Sequence, residues 1–256
     1  MLVDRRTFVR GTTWMGAAAL GLLGERAATR LEAAAQPKPL RVLVWCEGTA
    51  RKSTYPDDVD GALAKYLKRE DGISIVRGRL GDADSGLSDK VLDSTDVLVW
   101  WGRLRHDDVP NDRVRAIVKR VSSGRLGFVA LHASCASKPF KELMGTSCEP
   151  GRWREDGCPE HIKVETPEHP IAQGINPFTI AKTDMFAEPF NVPTPETVVL
   201  VSTWDQGETM RSGLTWTVDK GRVVYLRPGH DAFPVLVHPS IRRVIGNAVV
   251  WAGRQT

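Results

Sequence analysis

Residues 36–256 are predicted to fold as an α/β domain, a parallel sheet with helices on both faces and a β-rich insertion at about residues 151–216. Three observations carry this prediction. Short apolar runs rich in β-branched residues recur along the chain, helical apolar spacing fills the gaps between them, and the alternation breaks only in a Pro- and turn-rich middle.

The first run, Leu40 to Trp45, follows a Pro-containing linker and reads as a strand buried on both faces. The same pattern returns at Ile73 to Val76, Val97 to Trp101, Gly127 to Leu131 and Val223 to Leu226. Between these runs, Val59-Leu63-Tyr66-Leu67 and Val114-Ile117-Val118-Val121 follow i, i+3/i+4, i+7 spacing, and Ile241-Val244-Ile245-Ala248-Val249 closes the chain in the same way. The middle offers β-like pieces at His161 to Glu165, Val198 to Thr203 and Leu214 to Val218, read as an elaboration near one end of the sheet because the last strand and helix return to the parallel pattern.

Composition excludes several classes. With 41% hydrophobic and 26% charged residues, 23 Gly and 16 Pro in 256 residues, the chain is neither collagen-like nor wholly disordered. The net charge of +4 owes two units to the segment before Gln36, and no long Lys/Arg block follows, so a nucleic-acid partner is not expected. Within residues 1–35, Arg5-Arg6-Thr7-Phe8 precedes a weakly apolar stretch, Thr12 to Gly24, and Ala33-Ala34-Ala35 offers a small-residue cleavage site. This pattern resembles a twin-arginine export signal, so a periplasmic or secreted product is expected; the apolar stretch falls short of the ~20 residues of a permanent membrane span. Among four Cys, Cys148 and Cys158 are close enough in sequence to be expected as a bridge in an oxidising compartment.

In open parallel sheets, ligands bind beyond the carboxyl ends of the strands. The predicted strands are followed there by Cys46-Glu47-Gly48, by Gly102-Arg103-Leu104-Arg105-His106, by His132-Ala133-Ser134-Cys135 and by Arg227-Pro228-Gly229-His230. Three of six histidines thus fall on one face. Neutral imidazoles converging from separate loops suit a divalent cation such as zinc, manganese or iron, so His106, His132 and His230 are the candidate metal ligands. Glu47, Arg103, Lys138 and Arg227 are candidates for binding substrate oxygens. His169-Pro170 and His238-Pro239 read instead as turn or helix-start positions. Cys135 lies where a Cys-His nucleophile is conceivable, but its neighbours lack the glycines of a strand-to-helix elbow, and His132 holds the position directly after the strand. In the insertion, the Asp184-Met185-Phe186-Ala187-Glu188-Pro189-Phe190 segment sets carboxylates beside aromatic rings. Glu188 is a catalytic candidate with His132 and His230, either completing the metal site or moving a proton. Eight Trp beside three Tyr, with Trp45, Trp100, Trp101 and Trp153 near the crevice, suit apolar contact with sugar rings, and Trp153 is the candidate platform.

Several of these segments resemble the ThuA-like, or trehalose-utilisation, family. They include Val97-Leu98-Val99-Trp100-Trp101-Gly102, His106-Asp107-Asp108-Val109, Val129-Ala130-Leu131-His132, Trp153-Arg154-Glu155, Met185-Phe186-Ala187-Glu188-Pro189-Phe190 and Arg227-Pro228-Gly229-His230. The resemblance runs in order from Leu40 to the end and covers His106, His132, Glu188 and His230. It implies a flavodoxin-like sheet of the class I glutamine amidotransferase type without the catalytic Cys, and a role in trehalose, disaccharide or 3-keto-glycoside catabolism. Taken with the histidines at the strand ends, the expectation is a metal-assisted hydrolase, lyase or isomerase, acting beside a partner sugar dehydrogenase, without a nucleotide cofactor and compatible with a homo-oligomer. A non-catalytic carbohydrate-binding accessory protein and an amidotransferase-like acyl-transfer enzyme are the alternatives.

Overall fold

The computed structural model describes residues 38–253, apart from residue 71. The twin-arginine segment and its cleavage site lie outside the described residues.

Among the described residues nine strands form one sheet: β1 (Leu40–Cys46), β2 (Ile73–Arg79), β3 (Val97–Trp101), β4 (Gly127–Leu131), β5 (Arg152–Val164), β6 (Phe178–Ala187), β7 (Thr197–Thr203), β8 (Thr209–Val218) and β9 (Gly221–Leu226). Their order is β2-β1-β3-β4-β9-β8-β7-β5-β6. From β2 to β9 the neighbours are parallel; from β9 to β6 they are antiparallel. The expected parallel sheet is therefore only half of a mixed one. The cause is local: β8 returns into β9 through a two-residue turn, Asp219-Lys220, with Asp219 at φ +54°, so the insertion pairs edge to edge with β9 and lengthens the sheet.

Among the described residues five α-helices accompany the sheet: α1 (Asp58–Leu67), α2 (Asp89–Asp93), α3 (Asn111–Ser122), α4 (Lys138–Met144) and α5 (Pro239–Gly253). Alternation along the strands splits the core into two layers. Val42, Val44, Val97 and Val99 pack with Val59, Leu63, Val244 and Val249 of α1 and α5; Leu43, Leu98 and Phe128 pack on the other face with Leu92, Ile117, Val121 and Phe140 of α2 to α4. The parallel half thus carries helices on both faces, as expected. Trp45 and Trp100 stack at 3.8 Å within this core, and Trp101 is fully buried, so these three rings pack the sheet and do not line a crevice. His238 accepts from the Ser240 amide at the start of α5, and His169 from the Ile171 amide, the helix-start and turn roles expected of them.

Cys148 and Cys158 are separate thiols. Cys158 is fixed by pairing of β5 with β6 opposite Thr183, whereas Cys148 lies in a loop bonded to Asn191 and Thr146, so the expected bridge is not formed. Among the described residues no helix is long and apolar enough to cross a membrane.

Candidate functional site

At the end of β4 the chain turns sharply. His132 adopts φ +56°, a left-handed conformation that costs a non-glycine residue about 1–3 kcal/mol, and opens a 3-10 turn over His132–Ala136. This is the elbow for which flanking glycines are missing. The glycine that permits it comes from the loop after β9: a Cβ at Gly229 would lie 2.6 Å from the His132 Cβ. Ser134 secures the turn by donating to the Trp100 carbonyl and accepting from the Gly102 amide.

The His132 ring is fully buried and stacks on Phe186, with ring centroids 5.2 Å apart. Its Nδ1 lies 3.3 Å from the Arg227 carbonyl, which only accepts; Nδ1 therefore carries the proton and Nε2 presents a lone pair. That Nε2 has no hydrogen-bond partner and faces Asp184 Oδ2 at 3.6 Å. Burial pushes the imidazole down to about 4, so it is neutral near pH 7. Burial pushes Asp184 up, but the charge of the Arg227 guanidinium bonded to it opposes this, and the carboxyl is held below the usual carboxylate range.

Behind Asp184 lies a fully buried ion network. Arg227, at the end of β9, sends Nη2 to the carbonyl and Oδ1 of Asp184 on β6, and Nη1 to Glu160 on β5. Ser202 on β7 donates to the other Glu160 oxygen. Phe186 and Trp204 flank the guanidinium, each centroid 5.1 Å away.

His230 has the opposite arrangement. Its Nδ1 accepts from the Ala232 and Phe233 amides at 2.9 and 3.3 Å, which puts the proton of the neutral ring on Nε2. That nitrogen points to Glu155 Oε1 at 3.5 Å. Glu155 in turn pairs with Arg103, whose other end meets Asp231.

In front of these groups opens a cavity of about 320 Å³ whose lining includes Arg103, Leu104, His106, Trp153, Asp184 and Phe186. Leu104 and Trp153 are each 64% exposed and form an apolar mouth. Asp184 and Phe186 form the inner wall, and His132 stands directly behind them. Of the residues expected in the site, Arg103, His106 and Trp153 line the cavity, and His132 and His230 sit one layer deeper.

The others have different work. Glu47 accepts from the Leu104 and Arg105 amides and braces the loop after β3. Lys138 donates to Asp107, Val109 and Asn111, away from the cavity. Arg227 is fully buried, and both its Nη atoms are engaged by Asp184 and Glu160. Glu188 accepts from the Arg211 side chain and from the Arg211 and Phe190 amides, which hold it ionised and fixed; it does not line the cavity. The carboxylate facing the cavity is Asp184, four residues earlier. Cys135 is buried and pushed up to about 12, a protonated thiol without the activation a nucleophile needs.

The donor set does not fit a resident cation held by His106, His132 and His230. A lone pair is free on His132 Nε2, but His230 spends its own on backbone amides. Among the described residues, three or more metal-donor side chains come within 4.8 Å of one another only at Cys46, Asp58 and Asp60. There Arg77 and Arg79 bind Asp60, Lys52 pairs with Asp58, and burial pushes the Cys46 thiol up, so no negative charge is left over for a cation.

This half-parallel α/β sheet, with a buried histidine on a left-handed elbow after β4, is similar in fold to a glutamine amidotransferase. A Thermotoga maritima glutamine amidotransferase shares this fold with a TM-score of 0.54 at 12% identity, over 84% of this chain and 98% of that one. The chain belongs to the ThuA family, described as trehalose utilisation, whose model matches residues 41–252. A putative ThuA-like protein from Parabacteroides merdae aligns with a TM-score of 0.65 at 14% identity, over 85% of this chain and 91% of that one. Another from Bacteroides uniformis gives 0.62 at 17%, over 86% and 94%. No curated protein matches the sequence.

Proposed function

We propose that this protein is an enzyme of trehalose, disaccharide or 3-keto-glycoside catabolism that binds a sugar derivative in the crevice and moves a proton on it. Asp184 is the base. One observation carries this reading: an ionised carboxylate at the cavity wall whose free oxygen lies 3.6 Å from a proton-free imidazole nitrogen. Two acceptors facing each other repel until a proton arrives, and a proton taken by Asp184 is then shared with His132 Nε2. Arg227 keeps the carboxylate ionised beforehand, and the stacked Phe186 excludes water from the imidazole. The apolar mouth of Trp153 and Leu104 suits the C–H face of a sugar ring, while Arg103 and His106 offer polar contacts. Abstraction of a hydroxyl proton or of a C–H proton beside a carbonyl fits this arrangement, and the latter accords with a partner dehydrogenase that supplies the ketone. Export by the twin-arginine route, supported by Arg5-Arg6, belongs to the same reading.

Calorimetry with trehalose and 3-keto-trehalose, followed by product analysis with and without chelator, tests it. Saturable binding with chelator-resistant product formation is expected. Binding without product is the outcome for a carbohydrate-binding accessory protein, and product that disappears with chelator would restore a metal-assisted mechanism.

A further inference from the structure

Glu160 is fully buried on a strand of the insertion rather than at the cavity; burial pushes its carboxyl up, while the Arg227 guanidinium and the Ser202 hydroxyl bonded to it favour its ionised form. A buried carboxylate is costly unless it has a task, and replacing such ion groups by apolar residues is often neutral or stabilising. Its contacts show the task. Arg227 is a planar fork, and left alone beside one carboxylate such a fork binds both oxygens. Here its two ends are divided between strands, Nη1 to Glu160 Oε2 on β5 and Nη2 to Asp184 Oδ1 on β6. Phe186 and Trp204 hold the guanidinium plane, and Ser202 fixes the far oxygen of Glu160 at 2.5 Å. Asp184 Oδ2 is therefore left for His132 and the cavity.

We propose that Glu160 is a positioning residue: by occupying one end of Arg227 it confines that arginine to a single oxygen of Asp184 and keeps the other oxygen available to His132 and ligand. The inference rests on the assignment of Asp184 to the proton-accepting role, but its structural part holds without any substrate. Without the Glu160 charge, Arg227 turns towards Asp184 and binds it at both oxygens. Oδ2 leaves His132, and the base is lost although every cavity-lining residue remains.

The test is Glu160→Gln, which keeps size and removes charge, with Ser202→Ala as a milder second variant that releases one Glu160 oxygen and so weakens its hold on Arg227. Crystal structures of both without ligand, in the full chain, are compared with the unsubstituted protein. Two-point Arg227–Asp184 bonding in Glu160→Gln is expected, with a partial rotation of Asp184 in Ser202→Ala. With 3-keto-trehalose as probe, turnover falls about 10²-fold in Glu160→Gln while KM changes little, because the cavity walls are intact. Asp184 unmoved in folded Glu160→Gln overturns the inference; should that variant not fold, Asp184 unmoved in Ser202→Ala does so. Rotation of Asp184 in a protein that turns over no sugar supports the positioning role and counts against the proposed function alone.

Discussion

At the scale of single residues, His132 links strain, burial and chemistry. Its depressed proton affinity gives stability a definite pH dependence. The unfolded imidazole takes up a proton below about 6.5 and the folded one only near 4, so stability is level above pH 6.5 and declines as pH falls between those values. The full effect is on the order of 3 kcal/mol. Urea denaturation at pH 7 and pH 4.5 is expected to show a smaller acid loss in His132→Gln than in the unsubstituted protein; equal losses would place the titration elsewhere. The histidine itself was legible in the sequence, because it directly follows an apolar run at a strand's carboxyl end. The choice between Asp184 and Glu188 was not. Both carboxylates flank the same aromatic residues, and only the pairing of Glu188 with Arg211, 23 positions later, removes it from the site.

At the scale of elements, the insertion is part of the sheet and part of the site. Its strands β5 and β6 bring Glu160 and Asp184 to the end of β9, where Arg227 joins them. Replacing Arg227 by Met leaves two carboxylates buried without their cation, and a loss of about 3–5 kcal/mol is expected in chemical denaturation. The triple variant Glu160→Gln, Asp184→Asn, Arg227→Met is expected to recover most of that loss, since no buried charge remains; failure to recover would show that the cost lies in packing. The same network explains why β6 escaped prediction. Thr183 and Asp184 interrupt its apolar pattern, yet both are buried, because polar side chains facing the ion network stand where a sheet ordinarily places hydrophobic ones. The parallel strands, by contrast, have apolar residues on both faces and were readable almost to their ends.

At the scale of the whole molecule, the likeness to an amidotransferase is one of fold alone. Cys135 lies three residues past the elbow, protonated and almost fully buried against the cavity wall. Iodoacetamide at neutral pH, followed by mass spectrometry, is expected to leave Cys135 unlabelled in the folded protein and to label it after denaturation; rapid labelling of the native chain would reopen the nucleophile reading. The cavity lies beyond the strand ends, with His132 on the turn after β4 behind its wall. The most direct measurement is the turnover of 3-keto-trehalose by Asp184→Asn beside Glu188→Gln. A loss of about 10²–10⁴-fold for the first, with near-normal turnover for the second, is expected of a proton acceptor at the cavity wall. Undiminished turnover by Asp184→Asn would contradict it.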